Sequence, residues 1–246
     1  MAWKEPWRLK VRRRMRKPFN KVFHARHYFI SEYRGADFLL QPTGIGTLEI
    51  SAKIAEAPEL TNFMRRCNEL RPDVFIDIGA NIGLYSCILL KNAYVPRAIL
   101  FEPDRKNLVH LMANLLINDL LNSTELHEVA LGNTEGRVRL VPGTIDGGLS
   151  RIVTNDELPG SGYDVNVAKL DDLVSFADQC LAIKIDVEYY ECEVLAGMQR
   201  TLRRNKCIVQ VEAFETRDQV ISMMAEVGYG LVLALPPNFV FETAKG

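Results

Sequence analysis

The segment that most constrains the fold is FIDIGANIGLYS, at residues 75–86. A short apolar run ends in glycines and leads into a helical stretch, which is the pattern of a strand, a tight loop and a helix. In such a unit the backbone N–H groups of the loop face a ligand at the start of the helix. The segment therefore predicts a βαβ unit with a ligand site at the carboxyl end of its first strand.

The glycine spacing in this segment distinguishes between classes of ligand. A dinucleotide-binding loop needs glycines at i, i+2 and i+5, but Gly79 is followed by Asn81 and Leu84 at those positions, and Asp77 lies in the strand end. A carboxylate there is badly placed beside an anionic pyrophosphate and suits a cationic ligand with an ammonium group. S-adenosylmethionine is such a ligand. A tight turn without any ligand is the structural alternative.

The rest of the chain alternates strands and helices. A helix is predicted near 58–70, short apolar strands follow at 74–78 and 98–101, and a third strand is expected to end near Ala130. Further strands are predicted at 181–186 and 207–213, with two final strands joined by Pro236 and Pro237. This order predicts a parallel sheet with helices on both faces, and ligands outside the carboxyl ends of its strands.

Two details of this region are expectations about packing. Residues 136–169 are glycine-rich and β-like, and they are interpreted as an inserted hairpin region with a turn at DGGLS, residues 146–150. One helix is expected to bury a stripe of apolar residues, namely Leu108, Leu111, Met112, Leu115 and Leu116.

The N-terminal segment differs sharply in charge from the rest. In residues 1–26, ten basic residues against one acid give +9, and the other 20 basic and 30 acidic residues give −10. We therefore divide the chain into a basic arm at 1–26, a β/α extension at 27–71 and the main domain at 72–246. The arm fits an anionic membrane surface or RNA. It equally fits a solvated segment, or one that docks on the acidic body or on the second subunit of a homodimer.

Composition narrows the class of protein. With 48% hydrophobic and 25% charged residues, the chain has the composition of a globular domain. It shows neither a signal-peptide pattern nor an apolar stretch long enough for a bilayer. Five cysteines without CxxC spacing indicate a reducing, cytoplasmic environment, with a peripheral place at a membrane surface left open. The four histidines form no metal set, and no metal ligand is assigned, although magnesium assistance stays open.

Charged residues after the strands are the candidates for chemistry. Glu102 lies 23 residues beyond Gly79, where an acid accepts hydrogen bonds from ribose hydroxyls; its alternative role is that of a helix N-terminal acid. Residues 184, 186 and 188 alternate and are expected to share one side of an extended segment. Asp186 is our candidate for the carboxylate that faces the methyl group of a bound S-adenosylmethionine, and it is expected to pair with Lys184. Glu188 and Glu212 stay open as alternative bases.

The order of these motifs resembles the FkbM-type family of S-adenosylmethionine-dependent methyltransferases. It consists of FIDIGANIGLYS, then FEP at 101–103, VALGN at 129–133, LDDL at 170–173, KIDVE at 184–188 and VLAG at 194–197. The resemblance implies a Rossmann-like class I methyltransferase fold with a mostly parallel seven-stranded sheet. It also implies that DGGLS lies over the active site. The family commonly has VEGYE where this chain has VEYYE, so Tyr189 replaces a glycine near the expected mouth of the site.

The resemblance also implies the cofactor and the roles of residues. S-adenosyl-L-methionine would be held at its methionine part by Asp77, Gly79, Asn81 and Gly83, at its ribose by Glu102, and beside its adenine by Glu128, Val129 and Ala130. Asp186 is counted with both the cofactor contacts and the catalytic residues, with Lys184 and Glu212 as further catalytic candidates. The implied function is O-methylation of a sugar or another small hydroxylated acceptor. An RNA ribose methyltransferase that uses the arm, or a catalytically silent cofactor-binding module, is the alternative.

Overall fold

A computed structural model describes residues 28–40, 49–53, 55, 57–142, 150–153 and 162–243. The basic arm at 1–26 and residues 146–149 of the predicted turn lie outside the described residues. The strands are β1 (Phe29–Tyr33), β2 (Ala36–Leu40), β3 (Val74–Ile78), β4 (Ala98–Phe101), β5 (Thr124–His127), β6 (Ala130–Leu131), β7 (Gly136–Val141), β8 (Arg151–Val153), β9 (Tyr163–Ala168), β10 (Cys180–Ile185), β11 (Lys206–Glu212), β12 (Tyr229–Leu235) and β13 (Asn238–Thr243). The helices are α1 (Ala57–Leu70), α2 (Leu84–Lys91), α3 (Arg105–Ile117), α4 (Leu170–Leu173), α5 (Glu191–Ala196), α6 (Gln199–Arg204) and α7 (Arg217–Glu226).

The main sheet has the predicted seven strands, in the order β12-β13-β11-β10-β3-β4-β5. Strand β13 runs antiparallel to both of its neighbours, and the strands from β11 to β5 are parallel. Separate apolar cores lie on the two faces of the sheet, as expected when helices cover both sides. Because β3 and β10 are adjacent and parallel, the loops that follow them meet at one edge. The predicted Rossmann-like methyltransferase fold is confirmed.

The inserted region forms a sheet of its own, in the order β6-β9-β7-β8. Strands β7 and β9 are antiparallel, as an inserted hairpin requires. The prediction that the third strand of the main sheet reaches Ala130 is wrong, because β5 ends at His127. Ala130 and Leu131 instead pair in parallel with Val167 and Ala168 of β9, so the chain changes sheet within three residues.

The N-terminal extension packs into the core of the main domain. Strands β1 and β2 form an antiparallel hairpin, and α1 buries Leu60, Phe63 and Cys67, which lie at i, i+3 and i+7 on one face. The side-chain oxygens of Asn118 and Asn114 accept hydrogen bonds from the backbone N–H groups of Asp37 and Leu39 at 2.9 and 2.8 Å. These bonds fasten β2 to α3.

The same contacts correct the predicted buried stripe of α3. Met112 and Leu116 are 49% and 60% exposed, whereas Asn114 and Asn118 are buried. The helix is rotated away from its apolar stripe because the two asparagines satisfy polar backbone groups, including the Ile82 carbonyl, to which the Asn114 amide donates at 2.8 Å. Leu111 and Leu115 stay in the core.

Two findings bear on the expected environment. All five cysteines are free thiols. Among the described residues, no helix combines the length and the apolar character that a membrane span requires.

Candidate active site

The glycine loop after β3 is shaped by close backbone contacts. Gly79, Asn81 and Gly83 all have a left-handed φ, at 78°, 50° and 83°. A Cβ on Gly79 would lie 1.9 Å from the carbonyl oxygen of Asp186, and one on Gly83 would lie 2.5 Å from a methyl group of Leu111. Glycine is therefore needed at both positions, and the loop lies directly against the segment that follows β10.

Glu102 is bonded to this loop from the end of β4. It is 4% exposed, and its two carboxylate oxygens accept the backbone N–H groups of Asn81 at 2.7 Å and Asp104 at 2.8 Å. Burial raises the pKa of Glu102 to about 7, against the opposing effect of these hydrogen bonds. The helix-terminal role considered for Glu102 belongs to Asp104, whose side chain accepts the N–H of Lys106 and caps α3.

Asp77 lies beneath the loop rather than within it. Its side chain is 1% exposed and accepts a hydrogen bond of 2.5 Å from the Ser86 hydroxyl in α2. This bond joins the helix after the loop, α2, to the strand before the loop, β3. The carboxylate of Asp77 therefore lies on the buried side of the loop, away from solvent.

The most pronounced charge pair lies at the carboxyl end of β10. The Lys184 ammonium contacts the Asp186 carboxylate at 2.6 Å, with the two side chains 5% and 22% exposed. The ammonium also lies 4.7 Å from the centre of the Tyr85 ring, a favourable cation–π contact. The backbone N–H of Asp186 donates to the Ile78 carbonyl at 3.0 Å. The predicted pairing of Lys184 with Asp186 is thus present, and both backbone and side chain fix Asp186 beside the glycine loop.

A buried polar chain supports this pair from β11. Lys184 lies in register with Asp77 of β3 and Gln210 of β11, so the three side chains share a face of the sheet. The Gln210 amide donates to the Tyr85 hydroxyl at 2.8 Å and to the Asn238 side chain at 2.9 Å. Sequence reasoning did not identify Tyr85 or Gln210, although a polar residue within an apolar strand was a usable signal.

The prediction that Glu188 shares an extended face with Lys184 and Asp186 is wrong. Strand β10 ends at Ile185, and Glu188 and Tyr189 adopt left-handed φ angles of 50° and 71°. The carboxylate of Glu188 makes no hydrogen bond or ion pair with another described residue. Burial, followed by repulsion from Asp186 and Glu191, raises the pKa of Glu188 to about 7. Glu212, the other candidate base, is the partly buried last residue of β11.

Glu191, which sequence reasoning missed, joins the segments after β10 and β11. Its buried carboxylate accepts the N–H of Tyr189 and the hydroxyl of Thr216, both at 2.8 Å. The rings of Tyr189 and Phe214 consequently lie side by side, with centres 6.2 Å apart. We call residues 186–190 and 212–216 the acidic edge, and residues 79–83 with Glu102 the glycine-loop edge.

The stretch assigned to the adenine adjoins the glycine-loop edge along the chain. Glu128 is paired with Arg105 at 2.9 Å on the surface, Val129 packs against the core on one face of the main sheet, and Ala130 belongs to β6. The preceding His127 stacks on Phe101 with ring centres 4.9 Å apart, which is a packing role. Ser150, the described end of DGGLS, donates to Asp104 at 2.6 Å.

Other shared motifs have structural roles. A Cβ on Gly197 of VLAG would lie 1.9 Å from the carbonyl oxygen of Gly132 in VALGN, so these two motifs pack backbone against backbone. In LDDL, Asp171 accepts the N–H groups of Arg200 and Thr201 at 2.7 and 2.8 Å and holds the start of α6. Within the described part of the chain, no three His, Cys, Asp or Glu side chains are grouped to hold a metal ion.

The chain is similar in sequence to two known methyltransferases and in structure to one solved protein. The chain is 28% identical over 158 residues to hexuronic acid methyltransferase AglP of Haloferax volcanii, with 63% of this chain and 62% of that protein covered. It is 26% identical over 207 residues to methyltransferase sdnD of Sordaria araneosa, with 69% and 80% covered. The crystal structure of methyltransferase FkbM from Methylobacillus flagellatus matches with a TM-score of 0.49 and 21% identity, over 70% of this chain and 43% of that one.

The family profile described as "Methyltransferase FkbM domain" matches residues 77–231. This span runs from Asp77 in β3 to Leu231 in β12 and includes both edges of the candidate site. The resemblance inferred from the motifs is confirmed, and the chain belongs to the FkbM methyltransferase domain family.

Proposed function

We propose that the protein is an S-adenosylmethionine-dependent O-methyltransferase that acts on a hydroxyl of a sugar or another small hydroxylated acceptor. One observation carries the proposal. Asp186, paired with a buried ammonium group, lies with its backbone against Gly79 of the glycine loop. A carboxylate that can accept a proton is therefore held next to the loop that would bind the cofactor.

The residues of the glycine-loop edge fit this cofactor. Asn81 is exposed at the centre of the loop. Glu102 offers lone pairs to ribose hydroxyls beyond the three N–H groups that it already accepts, from the Asn81 and Asp104 backbone and the Asn107 amide. Asp77 adds negative charge beneath the loop, which favours an ammonium over a phosphate group. Glu128, Val129 and Ala130 continue from the strand next to Glu102 and would border the adenine.

The chemistry of this chain's residues follows from their positions. The bound cofactor supplies a methyl group on positively charged sulfur. Asp186 accepts the proton of the acceptor hydroxyl, and the Lys184 ammonium holds the carboxylate in place at 2.6 Å. The rest of the rate enhancement comes from holding the hydroxyl in line for transfer. Glu188 and Glu212 lie on the same edge and are the alternative bases.

The sugar acceptor is supported by one relative. The Haloferax volcanii protein is a hexuronic acid methyltransferase, and its alignment with this chain covers less than two thirds of its length. That a sugar is the acceptor of this chain is therefore part of the proposal.

A thermal-shift experiment tests the cofactor first. S-adenosylhomocysteine at about 100 times its Kd should stabilise the fold by about 2.7 kcal/mol, a rise in Tm of about 5–10 °C for a chain of this size. NAD should give no shift, because the loop lacks the dinucleotide glycines. Binding of NAD without binding of S-adenosylhomocysteine would overturn the proposal. Transfer of labelled methyl groups to neutral glycosides, uronates and RNA then distinguishes the acceptor classes, and a failure in all three favours the silent module.

A further inference from the structure

The acidic edge carries two exposed aromatic rings beside the proposed catalytic carboxylate. Tyr189 and Phe214 are 47% and 52% exposed, and their rings are inclined by 35° with centres 6.2 Å apart. They follow two neighbouring parallel strands, β10 and β11, at the edge where such sheets bind ligands. Tyr189 is three residues from Asp186, in the same segment after β10.

The backbone at Tyr189 is strained. Its φ of 71° follows a φ of 50° at Glu188, and a left-handed conformation is unusual for a bulky aromatic residue. A glycine would adopt this conformation without strain. Strain of this kind persists where the surroundings impose it and is characteristic of functional sites.

A buried carboxylate imposes this arrangement. Glu191 is 2% exposed and accepts both the N–H of Tyr189 and the hydroxyl of Thr216. One residue thereby fixes the two segments that present the two rings. The aromatic pair is thus a preorganised surface rather than two independent exposed side chains.

The charge around the rings determines which ligands they suit. Residues 184–191 and 212–216 contain one cation, Lys184, and five acids: Asp186, Glu188, Glu191, Glu212 and Glu215. Lys184 is already paired with Asp186. An anionic ligand would meet like charge with no spare cation from these segments, whereas an uncharged ligand would not.

We propose that Tyr189 and Phe214 form the acceptor platform, on which an uncharged sugar ring lies with its C–H face against the aromatic rings. The negative faces of the rings attract the weakly positive C–H groups of a pyranose, while its hydroxyls stay free to reach Asp186. The platform rests on the proposed function, because it describes the acceptor of that reaction. It also separates this chain from its hexuronic acid relative, since a neutral pyranoside is favoured over a uronate.

Saturation-transfer NMR tests the platform without requiring turnover. The full chain, saturated with S-adenosylhomocysteine, is mixed with methyl β-glucopyranoside or with methyl β-glucuronide. For the glucopyranoside we expect signals on ring C–H protons that fall about threefold to tenfold in Phe214→Ala and in Tyr189→Gly. The glucuronide should give signals at least about threefold weaker than the neutral sugar.

Val109→Ala is the matched control, because Val109 is a 68% exposed apolar residue on α3, outside both edges. It should leave the glucopyranoside signals unchanged. Absence of these signals in the wild type, their persistence in both platform variants, or an equally strong glucuronide signal overturns the platform. Failure of S-adenosylhomocysteine to raise the Tm overturns the proposed function separately, whatever the sugars do.

Discussion

The glycine-loop edge and the acidic edge lie at the carboxyl ends of adjacent strands but are built in different ways. At the glycine-loop edge, backbone packs against backbone, and the carboxylate of Glu102 is buried and bonded to two N–H groups. At the acidic edge, side chains project outward: Tyr189 and Phe214 are about half exposed, and the Glu188 carboxylate is unbonded among the described residues. The contact of Gly79 with Asp186 joins the two.

The two edges differ in which of their side chains can be replaced without disturbing the backbone. At the glycine-loop edge a Cβ added to Gly79 would lie 1.9 Å from the carbonyl oxygen of Asp186, so no side chain can be introduced there and that edge suits the cofactor. At the acidic edge the exposed rings of Tyr189 and Phe214 can be exchanged at little cost to the fold, so that edge suits the acceptor. Substitutions at the two edges should therefore separate cofactor binding from acceptor use.

The largest effect is expected from Asp186→Asn. Asparagine keeps the shape of the side chain but cannot accept a proton, so methyl transfer should fall by about 10²–10⁴-fold. Binding of S-adenosylhomocysteine, measured by calorimetry, should change little. A loss below about threefold would mean that positioning alone drives the reaction, or that another carboxylate is the base.

Glu188→Gln is the control within the same edge. Glu188 has a pKa of about 7, and its ionisation adds a negative charge to the acidic edge, which favours transfer of the proton of the acceptor hydroxyl to that edge. In the wild type kcat/KM should therefore rise between about pH 6 and 8, and in Glu188→Gln this rise should disappear while most activity remains. If Glu188→Gln instead abolishes transfer, Glu188 is the base.

The glycine-loop edge is easier to predict from the sequence than the acidic edge. The unit of β3, the glycine loop and α2 was predictable because its glycines report backbone contacts that only glycine tolerates. The left-handed turn at Glu188 and Tyr189 was not, because the residues there are poor formers of that conformation and the cause, Glu191, acts through a tertiary contact. The rotation of α3 was missed for a similar reason, since the hydrogen bonds of Asn114 and Asn118 override its apolar stripe.

Gly79→Ala should disrupt the junction between the edges. The added Cβ would lie 1.9 Å from the Asp186 carbonyl oxygen, at a φ of 78°. The left-handed conformation costs about 1–2 kcal/mol and the forced backbone shift about 1–3 kcal/mol more, measured as a loss of unfolding free energy in urea. Gly230→Ala in β12 is the matched control, because nothing lies within 4 Å of a Cβ there. Equal stability of the two variants would contradict the close contact.

Glu102→Ala should weaken S-adenosylhomocysteine binding by about 1.5–3 kcal/mol, the range for hydrogen bonds to a charged group. Ribose hydroxyls would bond the ionised form of Glu102, whose pKa without ligand is about 7. The affinity for S-adenosylhomocysteine should therefore fall as the pH drops below 7, and at pH 6 it should be about tenfold below its value at high pH. Glu102→Gln should remove this pH dependence. Calorimetry at several pH values measures both, and an affinity independent of pH in the wild type would argue against the ribose role.

The smallest effect, Tyr189→Gly, is the sharpest comparison because stability and acceptor use should move in opposite directions. Glycine removes the cost of a left-handed φ, about 1–2 kcal/mol of unfolding free energy. The greater freedom of glycine in the unfolded chain lowers the unfolding free energy by about 0.5–1 kcal/mol. The variant should therefore be more stable by about 0.5–1 kcal/mol, a rise in Tm of about 1–4 °C. The N–H that donates to Glu191 remains, so the fold of the edge should persist.

With an acceptor in hand, KM should rise while binding of S-adenosylhomocysteine stays constant. A loss of stability would show that the Tyr189 ring holds the edge together, and its exposed position would then have a structural explanation.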